Sequence, residues 1–204
     1  MSEVQEHGIA FEDIKIREYT GLSKKEYDKL KPTGGYTSPF DLVEGIIVSF
    51  NGSIKSTGKS TVDCADILKR MSQTNYTLIV GCYDQIGDDK IFHTEYKFYI
   101  EEKDYDTLWG SMEYCDVENF VSFVKNIPRG IESKKNTLNE RNILQEQLQC
   151  KRALMTVNPK VDSDKQRRVQ CSFILDKMIQ SGIMYTKTDI DIVIHKSPPR
   201  KFKK

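Results

Sequence analysis

Apolar and polar positions alternate most regularly in two stretches of the chain. In KIFHTEYKFYI (90–100), Phe92, Thr94, Tyr96, Phe98 and Ile100 recur every second residue, and near the C-terminus Ile190, Ile192 and Ile194 are separated by Asp191 and Val193. A period of two places one set on one face of a β-strand. The apolar run TLIVGCY (77–83) predicts a strand joined to the first of these by the turn IGDD, and 40–50 and 53–57 read as two more. MTVNPKVD and RRVQCSFIL read as strands around the polar loop SDKQ. Helical spacing appears elsewhere. Ile9, Ile14, Ile16 and Tyr19 predict a helix over 8–19, and Ser23 with Glu26 forms an S-x-x-E capping box that opens a short helix at 24–30. Asp63, Asp104 and Asp116 are expected N-caps for helices at 63–72, 105–112 and 117–126. Leu138, Ile143, Leu144 and Leu148 give an amphipathic helix over 136–152. Strands and helices mixed in this way predict the α/β class.

Composition bounds the picture without changing it. A chain of 204 residues with 38% hydrophobic and 30% charged residues is expected to form one globular domain: a core over about 8–100, a further part over about 104–195, and a tail at 196–204. No apolar run reaches the ~18 residues of a membrane span, and the acidic N-terminus does not read as a signal peptide. Five scattered cysteines (64, 82, 115, 150, 171) without a CxxC pair suggest reduced thiols in a cytoplasmic protein, with neither a zinc knuckle nor a disulfide frame. Charge does change the picture. The net charge is +1, but residues 151–204 hold 13 Lys/Arg against 5 Asp/Glu, so the first 150 residues are acidic. Such asymmetry suits a protein that meets phosphate on one side.

The chemistry concentrates in SPFDLVEGIIVSFNGSIKSTGKSTVDCADILKRM (38–71). Asp41 precedes an apolar segment; Ser53-Ile54-Lys55 follows, then Asp63 and Asp66. Carboxylates hold hard Mg²⁺ through oxygen, and a lysine supports an attacking water or the charge of a phosphate. This D…S-x-K pattern resembles the PD-(D/E)XK nuclease superfamily, and within it the type II restriction endonucleases in which serine stands in place of the acid before x-Lys. The resemblance implies a mixed central sheet of about five strands flanked by helices. It implies Mg²⁺ held by Asp41 and by a displaced acid, Asp66 or Asp63, with Glu12 of the first helix in support. Lys55 would orient the attacking water, and Ser53 would be a bystander or an outer hydrogen-bonding group. One local signal conflicts with this arrangement. Asn51-Gly52 is a strong type I′ hairpin signal, which would pair Val48 with Lys55 and leave Asp41 roughly 23 Å away at ~3.3 Å per residue. The site requires a connection centred nearer 47–48 or a bulge at Asn51-Gly52, and Glu44 is the substitute ligand for an intermediate register.

A second cluster lies in 154–175, where Lys160, Lys165, Arg167, Arg168 and Gln170 gather. Arginine reads guanine bidentately, glutamine reads adenine, and lysine reaches phosphate. QRRVQCS also resembles a stretch found in restriction endonucleases. Adjacent Arg167 and Arg168 would point to opposite faces of a strand, so only one would enter a groove. Double-stranded DNA as substrate and a homodimer matched to a palindromic site are what the family implies. The tail SPPRKFKK would add only unspecific phosphate affinity. With neither a P-loop nor a GxGxxG motif, no nucleotide cofactor and no membrane partner are expected.

Overall fold

Residues 6–32, 38–161 and 166–195 are described by the computed structural model. The chain divides into two compact units: Met1–Val62 with Asn75–Ile100 and Ile183–Lys204, and Asp63–Thr74 with Glu101–Gly182. The α/β class holds, but the strands form a four-stranded and a three-stranded sheet rather than one sheet of about five.

In the first unit, helix α1 (Glu6–Thr20) leads into α2 (Lys24–Leu30), whose Ser23–Glu26 capping box forms as the sequence predicts. The sheet follows in the order β1 (Gly52–Thr57), β3 (Tyr76–Ile86), β4 (Asp89–Ile100) and β7 (Tyr185–Ile194). β3–β4 and β4–β7 are antiparallel, whereas β1 pairs with β3 in parallel. A parallel pair needs a crossover, and residues 58–75 supply it. Strand β1 is therefore an edge strand, with Lys55 opposite Val80 and Ser53 opposite Leu78. His93 is exposed, as a strand residue at that position is expected to be.

The buried stripe of α1 differs from the one its isoleucines suggest. Phe11, Lys15 and Ile16 are buried, whereas Ile9 is exposed. Burial of Lys15 requires paired charge: its ammonium contacts Glu18 and lies 2.6 Å from Glu95 of β4, itself buried. Phe11 stacks on Phe92 with ring centroids 4.4 Å apart. That packing sets the residue beneath it, because a Cβ at Gly81 would run into the Phe11 ring. Overpacking a core site costs about 1–3 kcal/mol. Gly81→Ala is therefore expected to lower the urea midpoint by that equivalent, and an unchanged midpoint would refute the packing account.

The expected strand at 40–50 does not form. Leu42 makes an isolated antiparallel bridge to Gly52, Glu44 bridges Val48, and residues 45–47 turn, with Gly45 and Ile47 at φ of 82° and 68°. Asn51-Gly52 is no hairpin turn. Asn51 Oδ1 accepts the Glu44 amide (3.1 Å), and its carbonyl accepts the Thr77 amide (2.8 Å). The glycine serves close approach: a Cβ at position 52 would lie 3.0 Å from the Phe50 ring and 3.1 Å from Leu42 Cβ.

Across the boundary in the chain between the two units, Val62 and Cys64 are buried and alternate with exposed Thr61, Asp63 and Ala65. That period-two pattern forms β2 (Thr61–Asp66) where a helix was expected, and only a short α3 (Ile67–Met71) follows. The N-cap is consequently Asp66, not Asp63. A 3₁₀ turn at Glu102–Asp104 precedes α4 (Tyr105–Trp109), which ends before 112 because Gly110 turns the chain at φ 59°. Asp104 makes no side-chain cap to α4; its carboxylate accepts the Glu101 amide at 2.9 Å. Helix α5 (Tyr114–Asn126) starts earlier than expected, capped at Glu113 with Asp116 in its first turn, and buries Val117, Phe120, Val121 and Val124. The helix expected over 136–152 forms as the shorter α7 (Leu138–Leu148), preceded by a separate α6 (Ile131–Asn136). Strands β5 (Thr156–Lys160) and β6 (Arg168–Ile174) are antiparallel, in the order β2-β6-β5, and α8 (Leu175–Ile179) follows β6. Among the described residues no helix is long and apolar enough to cross a membrane.

Candidate functional site

The bridge between Leu42 and Gly52 folds residue 41 back beside the start of β1, closing a connection centred on position 47. Asp41 is thereby brought against the S-x-K segment. Its Oδ2 accepts the Ile54 amide at 2.6 Å, and Lys55 Nζ lies 3.4 Å from the same oxygen. Ser53 Oγ is 3.5 Å from it, at the outer limit of a hydrogen bond, and Ser53 is fully buried. Lys55 also donates to the Ile54 carbonyl at 2.9 Å, which holds its stem along the strand edge. Asp41 and Lys55 remain about one-fifth exposed, so the pair is accessible from solvent.

Helix α1 supplies Glu12 to the same place. Burial first, and then the negative charge of Asp41, push the Glu12 carboxyl up from 4.5 to about 7, against the opposing pull of Lys24 and Lys55. A carboxylate raised by the negative charge of a second one marks a place that favours a cation.

Helix α2 buttresses this arrangement, and the sequence reading missed it. The Tyr27 hydroxyl, fully buried, accepts the Val43 amide (2.9 Å) and donates to the Ile46 carbonyl (3.1 Å), gripping the loop beyond Asp41. Lys31 Nζ reaches the Phe40 carbonyl at 3.5 Å and pairs with Asp28 at 2.8 Å. Lys24 Nζ lies 2.8 Å from Glu12 and 2.9 Å from Asp28. The i, i+4 spacing of Lys24 and Asp28 is visible in the sequence, but their meeting with Glu12 depends on how α1 and α2 pack.

The remaining acids have other local partners. Glu44 is exposed, and its amide is bound by Asn51. In the second unit, Asp63 Oδ1 accepts the Ala65 amide at 2.8 Å, with Ala65 at φ 66°. Asp66 Oδ1 accepts the Lys69 amide at 3.0 Å as the cap of α3. Among the described residues, no group of three or more His, Cys, Asp and Glu is placed to hold a metal ion. Mg²⁺ nevertheless keeps several waters and is commonly bound by one or two carboxylates plus substrate phosphate. The Asp41–Glu12 pair, mutually repelling and close to Lys55, fits that mode.

In the β5–β6 pair, Lys160 faces Arg168 and Asn158 faces Gln170. These four share one face, while Val157, Val169, Cys171 and Phe173 are buried on the other. Arg168 is exposed, whereas Gln170 is 8% exposed. Arg167 points elsewhere: it donates to the carbonyls of Ile127 (3.1 Å) and Pro128 (2.8 Å) beyond α5 and to that of Gln166 (2.7 Å). Lys165, with loop positions 162–164, and the basic tail at 196–204 lie outside the described residues.

No protein-family model matches this chain, and no significant match is found among curated proteins or solved structures.

Proposed function

We propose that the chain is a metal-dependent phosphodiesterase of the PD-(D/E)XK kind, acting on nucleic acid. Within that class, the reading supported best is a type II restriction endonuclease: Mg²⁺-dependent, specific for a site in double-stranded DNA, and working as a homodimer. The observation that carries it is the convergence of Asp41, Lys55 and Glu12 at an edge strand, with Asp41 oriented by the Ile54 amide.

In this reading Asp41 and Glu12 would hold Mg²⁺, with water and the substrate phosphate filling its other positions, whereas Asp63 and Asp66 bind amides of their own segment. Held there, Mg²⁺ would supply charge neutralisation at the scissile phosphate and activation of a water. Lys55, tethered by the Ile54 carbonyl and Asp41, presents an ammonium donor that orients the attacking water and stabilises phosphate charge. Ser53 packs beneath Asp41 and takes no direct part.

The test is incubation of the purified protein with plasmid DNA and Mg²⁺, followed by mapping of the ends. Defined double-strand cuts at one short sequence are the expected result. Gel retardation without cutting would replace this reading with a non-catalytic binding module. Cutting governed by junctions or damage would point to a repair or junction nuclease of the same fold.

Arg168 and Lys160 are the basic side chains of the β5–β6 face best placed to meet DNA, whereas Arg167 holds the chain beyond α5. Arg168→Ala is expected to relax site discrimination or weaken binding with little loss of stability. Arg167→Ala should cost about 1–3 kcal/mol through its lost bonds to carbonyls and leave discrimination intact. Cleavage of the cognate site and its single-base variants, alongside urea melts of both proteins, decides this; the reverse pattern would exchange the two roles.

A further inference from the structure

Lys24 opens α2 and is fixed both at its backbone and at the tip of its side chain. Its amide donates to Asp13 Oδ1 at 2.6 Å, and its ammonium sits between Glu12 (2.8 Å) and Asp28 (2.9 Å). Asp28 in turn pairs with Lys31 at 2.8 Å, and Asp41 with Lys55 at 3.4 Å. The acids Glu12, Asp28 and Asp41 are thus matched by the cations Lys24, Lys31 and Lys55, and this constellation is formally neutral. A divalent cation entering a neutral cluster gains little net attraction, and its approach to Glu12 is opposed by the ammonium already bound there. Lys24 alone among the three lysines has both a Glu12 bond to give up and a second carboxylate, Asp28, to keep. It is also a quarter exposed, so water can take up the freed N–H.

We propose that Lys24 is an internal counter-ion that occupies Glu12 in the metal-free protein and competes with the divalent cation for it, thereby setting metal affinity. Glu12 is released when the cation binds, and Lys24 withdraws onto Asp28. Lys24 is a positioning residue, because it acts through Glu12 and touches neither metal nor substrate. The proposal rests on the reading of Asp41 and Glu12 as metal ligands.

The experiment measures binding of Mn²⁺ alone, by electron paramagnetic resonance of the free ion, to the full chain without DNA. The proteins are the wild type, Lys24→Met, Lys24→Gln, Lys24→Arg, Glu12→Gln and Asp41→Asn, each checked for folding by thermal melting. Removal of one positive charge beside the site is expected to tighten Mn²⁺ binding about tenfold in Lys24→Met and Lys24→Gln. Lys24→Arg, which keeps the charge, should stay near the wild type. The glutamine variant retains hydrogen-bonding capacity, and carries the test if the methionine protein does not fold. Unchanged or weaker Mn²⁺ binding in the neutral Lys24 variants, with Glu12→Gln and Asp41→Asn still lowering affinity, would overturn the counter-ion proposal and leave the metal site standing. Mn²⁺ binding indifferent to Glu12→Gln and Asp41→Asn would instead overturn the metal-site reading, and this proposal with it.

Discussion

Lys55→Ala is expected to abolish Mg²⁺-dependent cleavage, by about 10²–10⁴-fold in rate, while DNA binding stays close to wild type. The ammonium is 3.4 Å from Asp41 and is steered by the Ile54 carbonyl, so it is aimed at the carboxylate rather than spread over the protein surface. A group arranged in this way acts on charge that develops during the reaction. Its loss therefore lowers the turnover of bound DNA more than ground-state affinity. The side chain is partly exposed on an edge strand, and its removal leaves no buried charge unpaired beyond Asp41, which keeps the Ile54 amide. Single-turnover cleavage, with gel retardation of the same DNA in Ca²⁺, separates the two effects. Wild-type cleavage by the alanine protein would remove Lys55 from the mechanism.

Glu12→Gln is expected to do two opposite things: abolish cleavage and stabilise the fold at alkaline pH. Burial and the charge of Asp41 raise the Glu12 carboxyl to about 7 in the folded protein, from its ordinary 4.5. A carboxyl raised on folding favours the folded state while protonated. Its contribution is therefore complete below about pH 4.5 and is lost as pH rises through about 7. The difference is on the order of 3 kcal/mol at about 1.4 kcal/mol per pH unit. Glutamine mimics the protonated carboxyl at every pH. The variant should match the wild type near pH 4.5 and exceed it by up to that amount at pH 8. Urea unfolding of both proteins at the two pH values checks this. A Glu12→Gln difference that is the same at both pH values would show that Glu12 carries no such burden. A stabilising substitution that removes activity is the expected signature of a carboxylate held for function at the expense of the fold.

Local chemistry made much of the chain readable in advance. The Ser23–Glu26 capping box placed α2, the apolar run and period-two alternation placed β3, β4 and β7, and the run RRVQCSFIL beside the polar loop SDKQ placed β6. Each of these signals is complete within a few residues, because a cap or a pleat is made by near neighbours. The same locality misled at three points. Asp63 has the residue type of an N-cap, yet Val62 and Cys64 are drawn into a sheet, which moves the cap to Asp66. Asn51-Gly52 has the sequence of a hairpin turn, yet Gly52 is needed for approach to Leu42 and its strand pairs in parallel with β3. The isoleucines of α1 suggested its inner stripe, yet Lys15 is buried there because Glu95 of β4 lies opposite.

The residue types of the candidate site were therefore determined by the sequence: a carboxylate, a lysine two residues beyond a serine on a strand, and an acid in the first helix. Only the tertiary structure decided their meeting. The distance between Asp41 and Lys55 depends on a bridge across ten positions, and the state of Glu12 on charges brought by another helix and a loop. Pairing across a sheet and the desolvation of a carboxyl are set by residues remote in the chain. No local pattern around Glu12 or Asp41 records them.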